Sequence, residues 1–236
     1  MVKNSIANNF NPEAYPDRQD YLDYLHRKYN DFQPEDRLKE FFNLFEEKDI
    51  LLTTSFGSSS IVLLSMVSKI KPALPVYFID TGYHFEETYE YKELIKDQLG
   101  LNLIEIHPEE TKHQFTRKNK TWIANHDLCC MVNKVDPLEK IKRNHKVWIS
   151  GLMAHQNANR SGLRIFEKSK GILKFHPLLD MTREDISLYK FIYQLPENRL
   201  IHKGYSSIGC IHCTKKGNGR EGRWAGTDKT ECGIHI

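Results

Sequence analysis

Five cysteines carry most of the chemistry available to this 236-residue chain. Cys210 and Cys213 form a C-x-x-C pair within SIGCIHCT (207–214), and Cys129 and Cys130 stand side by side about eighty residues earlier. Two paired thiol clusters far apart in sequence have the pattern of a four-thiolate metal site that closes the fold on itself. Buried structural cysteines compete with that reading, and so does zinc, which four thiolates suit and which favours C-x-x-C knuckles. Adjacent ligands to a single ion demand a strained local backbone. On an iron–sulfur cluster, adjacent cysteines can each take a different iron, and a [4Fe–4S] cluster uses one thiolate per iron. All four irons would then be capped by protein, leaving electrostatic tuning or a structural role rather than Lewis-acid work. Lys134, one helical turn past Cys130, is placed to matter there.

Cys232 stands apart, in ECGIH four residues from the C-terminus. Only a few per cent of a free cysteine is thiolate at neutral pH, and neighbouring cations favour the reactive form. Lys229 and His235 lie within three residues of it, with Arg220 and Arg223 not far before. If the other four thiols are ligands, no internal resolving thiol remains, and an outside thiol must clear any covalent intermediate. Two polar stretches suggest an anion site beside this chemistry. SFGSSS, from Ser55 and Phe56 through Gly57, Ser58 and Ser59 to Ser60, follows a strand and opens a helix, so free N–H groups and the helix dipole can hold an anion. It is not a Walker loop, because no Gly-Lys-Ser/Thr follows. Asp80, Thr81 and Gly82 close the next strand, on the rim where open α/β sheets bind ligands. Arg160, Arg164, Arg220 and Arg223 can supply counter-charge.

The elements that must position these residues alternate. Apolar runs at 49–56, 75–80, 102–108 and 146–151 read as strands, and 59–70 and 84–100 read as helices, the latter stopped at Gly100. A further helix holds Cys129 and Cys130. LRIFEK and ILKFHP flank Ser169-Lys170-Gly171 as a hairpin, and Thr182-x-x-Asp185 caps a last helix before Pro196. This alternation predicts an α/β fold with a doubly wound, mostly parallel sheet. Residues 1–48 read as a helical segment with Phe41, Phe42, Leu44 and Phe45 on one face, 49–214 as the nucleotide-binding domain with the metal site, and 215–236 as a mobile catalytic tail. From Ile201 onward little apolar periodicity remains, so loop and tail are expected there rather than core. The net charge of +3 is too small to argue for nucleic acid. No apolar run approaches the ~18 residues of a membrane span, and the N-terminus lacks a signal-peptide core. A reducing cytoplasm is the expected setting, where C-x-x-C serves metal or redox chemistry rather than a disulfide.

Taken together, SFGSSS, FIDTGYHFEETY (78–89), CC-x-x-x-K-x-x-PL (129–138), Arg160, SIGCIHCT and GREGRW…KTECGIH resemble the thioredoxin-dependent adenylyl-sulfate reductases, the iron–sulfur branch of the sulfonucleotide reductases. The resemblance runs from about Asp49 to Ile236. It implies an adenine-nucleotide α-hydrolase-like fold, with residues 55–60 and Asp80-Thr81-Gly82 bordering the nucleotide and Arg160, Arg220 and Arg223 on the phosphosulfate. It implies a [4Fe–4S] cluster on Cys129, Cys130, Cys210 and Cys213, and Cys232 as the nucleophile; Lys134 and His235, from their places in the sequence, are expected to give electrostatic support. Cys232 would attack the sulfur, release AMP, and be left as an S-sulfocysteine from which thioredoxin or a similar dithiol frees sulfite. Neither nucleic acid nor membrane enters this scheme, and a homo-oligomer is left open. The family commonly shows arginine where this chain has Asn133, and Gly-x-Arg-Arg-x-Gln where it reads Gly151-Leu-Met-Ala-His-Gln156. Both differences bear on the choice between adenylyl sulfate and its 3′-phosphorylated form. An ATP pyrophosphatase that thiolates tRNA is the rival enzyme class, but it carries Ser-Gly-Gly-x-Asp-Ser where Phe56 and Ser59 replace the first Gly and the Asp. A non-catalytic metal-binding module is the other alternative.

Overall fold

The structure is a computed structural model that describes residues 19–235; the start of the expected N-terminal segment lies outside the described residues. Helices α1 (Gln19–Asn30) and α2 (Pro34–Leu44) precede strand β1 (Ile50–Thr54). Helix α3 (Ser60–Ile70), β2 (Val76–Ile79), α4 (Glu86–Leu99) and β3 (Leu103–Ile106) follow. Helices α5 (Glu110–Lys118), α6 (Thr121–Ala124) and α7 (His126–Cys130) lead through a π-helical turn at Met131–Val135 into α8 (Asp136–Lys142). Strand β4 (Val147–Ile149), α9 (Ala158–Ser161), β5 (Phe166–Ser169), β6 (Ile172–Phe175) and α10 (Arg183–Ile192) complete the regular elements of length.

The strands form one sheet in the order β3-β2-β1-β4-β6-β5. All neighbours are parallel except the edge pair β5–β6, the expected hairpin, which turns at Lys170 (φ 47°) and Gly171 (φ 80°). In β1, Leu52 lies opposite Val76 on one side and Ile149 on the other. Successive residues of a strand face opposite sides of the sheet. Ile50 and Leu52 accordingly join the main core, whereas Leu51 joins Ile79, Leu138, Trp148 and Ile172 on the other face. Covering both faces is what makes β1 a continuous apolar run rather than an alternating one.

Helix α4 ends as expected, at Gly100 in the left-handed region (φ 61°). Thr182 caps α10 in a reciprocal box, its hydroxyl accepting from the Asp185 N–H at 3.1 Å while Asp185 accepts from the Thr182 N–H at 2.8 Å. Helices α1 and α2 are part of the main core through Tyr21, Leu25, Tyr29, Leu38 and Phe41. Arg37, fully buried, ties them to the loop after β6: it donates to the carbonyls of Tyr29, Asn30 and Pro177 and to Asp180. No described helix is long and apolar enough to cross a membrane.

The segment from Ile201 onward departs from expectation. It forms little regular structure, yet Ile208, Cys210, Cys213, Thr214, Trp224 and Glu231 are buried. It is packed by long-range contacts, which leave no local period to read.

Candidate active site

Strand order reverses on either side of β1, where β2 and β4 diverge, and open α/β sheets bind ligands at the carboxyl ends of the strands at such a point. A cleft of about 660 Å³ lies there, lined by residues 53–55 and 57–60, by 150–153, by Arg183, Ser187 and Lys190 of α10, and by the tail. Phe56 does not line it. This side chain is fully buried against Phe78, with ring centroids 5.4 Å apart and its backbone at φ 48°, so the serine loop folds over it. A phenylalanine in the left-handed region is strained and persists only where packing holds it. Ser58 donates to the Ser206 carbonyl at 3.3 Å and so joins the loop to the C-terminal segment.

Asp80, Thr81 and Gly82 do not line the cleft. Asp80 accepts from the Gly82 N–H at 2.8 Å and from the Tyr89 hydroxyl at 2.7 Å. Thr81 is fully buried, with its hydroxyl 3.4 Å from the Cys210 sulfur. Gly82 is at φ 68°, and a Cβ there would lie 2.9 Å from the His113 ring. Ile79 and His84, on either side of the triplet, line the cleft instead. Burial and the charge of Lys134 push the His84 imidazole down to about 4.

All four paired thiols are buried. Cys129, Cys210 and Cys213 pack together with Tyr83 and Trp224, and Cys130 lies within electrostatic reach of Cys210 and Cys232. The π-helical turn follows Cys130 immediately and re-phases the helix where two consecutive side chains must both face inward. Trp122 of α6 stacks on His212 of the C-x-x-C turn at 4.1 Å. Asn133 is buried and donates to the Cys129 carbonyl at 2.8 Å, with the sulfur of Cys129 3.7 Å away. Burial raises the thiol of Cys129 and pushes those of Cys130 and Cys213 up to about 12 and about 11. Lys134 lies between these thiols and the cleft. Burial opposes its charge, but Cys210, Cys232 and Cys130 outweigh that and raise its ammonium above the usual range.

The tail crosses the cleft and places Cys232, half-buried, on its lining. Arg160 pairs with both oxygens of the buried Glu231 carboxylate, at 2.7 and 2.8 Å. These bonds to Arg160, with Arg220 nearby, hold Glu231 below the usual carboxylate range although burial opposes it. Arg220 reaches Glu231 at 3.1 Å, and burial beside Arg160 pushes its guanidinium down to about 10. Arg223 lies over the Trp224 ring at 4.4 Å and fills the place a side chain at Gly209 would take. The Nε atoms of Arg220 and Arg223 are buried donors without an acceptor among the described residues. Arg164 lies elsewhere, on Asp23 at 2.6 Å.

Comparison with known proteins gives the site its relatives. The phosphoadenosine phosphosulfate reductase domain matches residues 49–216. The chain belongs to that family. An adenosine 5′-phosphosulfate reductase of Chelativorans sp. is 40% identical over 197 residues, covering 81% of this chain and 80% of the relative. One from Halalkalibacterium halodurans is 38% identical over 211 residues, covering 85% and 90%. Among solved structures, the phosphoadenylyl-sulfate reductase of Candida auris in its phosphate complex aligns with a TM-score of 0.74 at 28% identity, covering 84% of this chain and 98% of the other. A Candida glabrata FMN adenylyltransferase aligns with a TM-score of 0.57 at 16% identity, a likeness of fold alone.

Within this family frame, two expected cations change their place. His235 supplies no cation to Cys232: burial, together with Arg160 and Lys174, holds its imidazole well below the usual range, and it stacks on Trp148 at 4.9 Å. Lys229 is likewise turned away, onto Asp127. Lys134 and Arg220 are within electrostatic reach of Cys232. Glu231, Asn157 and His84 are site residues that sequence reasoning missed. Glu231 stood beside Cys232 in ECGIH, but nothing local marked its partner seventy-one residues upstream.

Proposed function

We propose that this protein reduces adenylyl sulfate to sulfite and AMP through a covalent intermediate on Cys232. The observation that carries the reading is that Cys232, the one cysteine outside the buried four, lines a single cleft with Lys134, Arg220 and Arg223. The buried guanidinium donors lacking an acceptor suit an anionic ligand that brings its own oxygens. In this reading residues 49–214 bind the nucleotide and 215–236 deliver the nucleophile.

The residues divide the work. The open N-terminus of α3 and the serine loop receive phosphate oxygens at the carboxyl end of β1. Arg220, Arg223 and Lys134 spread the charge of the phosphosulfate, which otherwise repels a thiolate. The Cys232 thiolate attacks sulfur, the S–O bond to the phosphate breaks, and AMP leaves with that electron pair. A dithiol donor such as thioredoxin then attacks the Cys232 sulfur and expels sulfite. Its second thiol resolves the mixed disulfide, so the two electrons come from the donor.

The four buried thiols fit a [4Fe–4S] cluster better than zinc. No three of their sulfurs lie within 4.8 Å of one another, whereas tetrahedral zinc with bonds of about 2.3 Å would draw them to roughly 3.8 Å. A wider setting suits one thiolate per iron. Bound there, the cluster supplies a fixed charge distribution beside the cleft and a covalent tie between the two cysteine pairs. The absence of a membrane-spanning helix among the described residues and the need for free thiols agree with a cytoplasmic setting.

The deciding assay supplies adenylyl sulfate or its 3′-phosphorylated form together with reduced thioredoxin. Sulfite and AMP in equal amounts are expected from adenylyl sulfate, and Cys232→Ser is expected to abolish sulfite while retaining nucleotide binding. Full turnover by the serine variant, or pyrophosphate release from ATP in place of sulfite, would overturn the reading.

A further inference from the structure

Arg160 lines the same cleft as Arg220 and Arg223, but each of its three guanidinium nitrogens already donates to an acceptor within the chain. Nε and Nη2 reach the two oxygens of Glu231, and Nη1 reaches the side-chain oxygen of Gln156. Arg220 and Arg223 each keep a buried Nε free of any described acceptor. We infer that Arg160 is a positioning residue, which acts on Cys232 through Glu231, and that the phosphosulfate is left to Arg220 and Arg223.

The sequence around Arg160 is built for this grip. In Asn157-Ala-Asn-Arg160 every polar side chain holds the tail: Asn157 donates to Glu231 at 2.8 Å, Asn159 donates to the Thr230 hydroxyl at 3.0 Å, and Arg160 takes the Glu231 carboxylate. Asn157 also caps α9 by accepting from the Arg160 N–H at 3.0 Å, so the helix and the grip are set by one residue. A second anchor lies beyond the nucleophile. His235 stacks on Trp148, Lys174 donates to the His235 carbonyl at 3.2 Å, and Ile234 packs on the cluster around Leu51 and Trp148. Between the anchors Gly233 takes φ 83°, in the region that favours glycine. Cys232 is therefore held from both sides, one residue after the Glu231 clasp, and the chain between the anchors is too short to let it wander. A bidentate pair shielded from water on both partners is rigid in a way that an exposed pair is not. The same clasp must open, or the tail must lift, before an outside protein thiol can reach the half-buried sulfur.

This inference rests on the reading of Cys232 as nucleophile, and its test separates the two. The full-length protein carrying its cluster, with no nucleotide present, is treated with iodoacetamide, and the alkylation rate is read on the Cys232 peptide by mass. Glu231→Gln is expected to raise that rate about tenfold or more, since losing one charge of a buried pair releases the other. Asn159→Ala, a gentler change on an exposed residue, should raise it by a smaller factor. In turnover with adenylyl sulfate, Arg160→Ala should lower kcat with little change in KM, whereas Arg223→Ala should raise KM. Unchanged alkylation in both folded variants, Glu231→Gln and Asn159→Ala, would overturn the clasp. A KM that rises in Arg160→Ala as it does in Arg223→Ala would return Arg160 to the substrate. If the wild-type protein turns over neither sulfonucleotide, the proposed activity fails and the alkylation rates still judge the clasp.

Discussion

Asn133 stands, 1% exposed, where the resemblance leads one to expect arginine, and its amide is fully used. It donates to the Cys129 carbonyl at 2.8 Å and to the Thr116 hydroxyl at 3.1 Å, and it accepts from His113 at 2.8 Å. Asn133→Ala should cost about 1–3 kcal/mol, because it strands buried partners, and a lower urea midpoint at unchanged slope is the check. Asn133→Arg should cost at least as much, since this pocket has been filled by a shorter side chain. Two histidines make the fold sensitive to acid. His84 falls from 6.5 to about 4 on folding and His235 falls well below 6.5, so between those values the unfolded chain binds protons that the folded chain excludes. Their contribution to stability is therefore whole above about pH 6.5 and is lost as pH falls, at about 1.4 kcal/mol per pH unit for each group. Unfolding free energy measured from pH 7.5 down to 5 should drop with that sign, and His84→Asn should flatten the curve. A stability that rises on acidification would contradict the neutral state of both half-buried rings.

At the scale of elements, the C-x-x-C turn depends on a close approach. A Cβ at Gly209 would lie 2.3 Å from the Arg223 guanidinium, so Gly209→Ala must displace that guanidinium from its present place. Nucleotide binding should weaken by about ten- to a hundredfold, the worth of a charged hydrogen bond, while the thiols stay buried; titration calorimetry with AMP measures it. The strands, the hairpin at Lys170-Gly171 and the cap at Thr182 were legible in the sequence because each has a local cause: an apolar run, a turn pair, a reciprocal cap. The paired cysteines and the cleft-lining serines were legible for the same reason. Arg37 was not, because its partners Pro177 and Asp180 lie some hundred and forty residues away. Glu231 and Trp224 escaped likewise: a segment that packs by pairing with distant side chains shows neither a 3.6 nor a 2.0 period. His235 was misjudged because proximity to Cys232 in sequence said nothing of Trp148, on whose ring it rests.

Across the whole molecule, the sheet closes by its own core, but the last thirty residues close by two devices. The clasp at Glu231 is one, and the four thiols are the other, joining the α7 helix to a turn eighty residues later. With iron bound, that joint is a covalent cross-link, which limits the freedom of the unfolded chain much as a disulfide does. Without iron, the same place holds four buried thiols, three of them pushed up by burial, with Lys134 beside them. Removing the cluster by oxidation and chelation should therefore loosen the C-terminal segment ahead of the sheet. About four irons per chain should be lost with the visible absorbance, following the one-thiolate-per-iron count. Limited proteolysis should then cut first between Ile201 and Ile236, while β1 through β6 and their helices stay protected. The order matters, because α1, α2 and the sheet share one apolar core that touches no thiol. Simultaneous cleavage throughout the chain would show that the cluster holds the entire fold, and unaltered protection of the tail would show that the Glu231 clasp alone suffices.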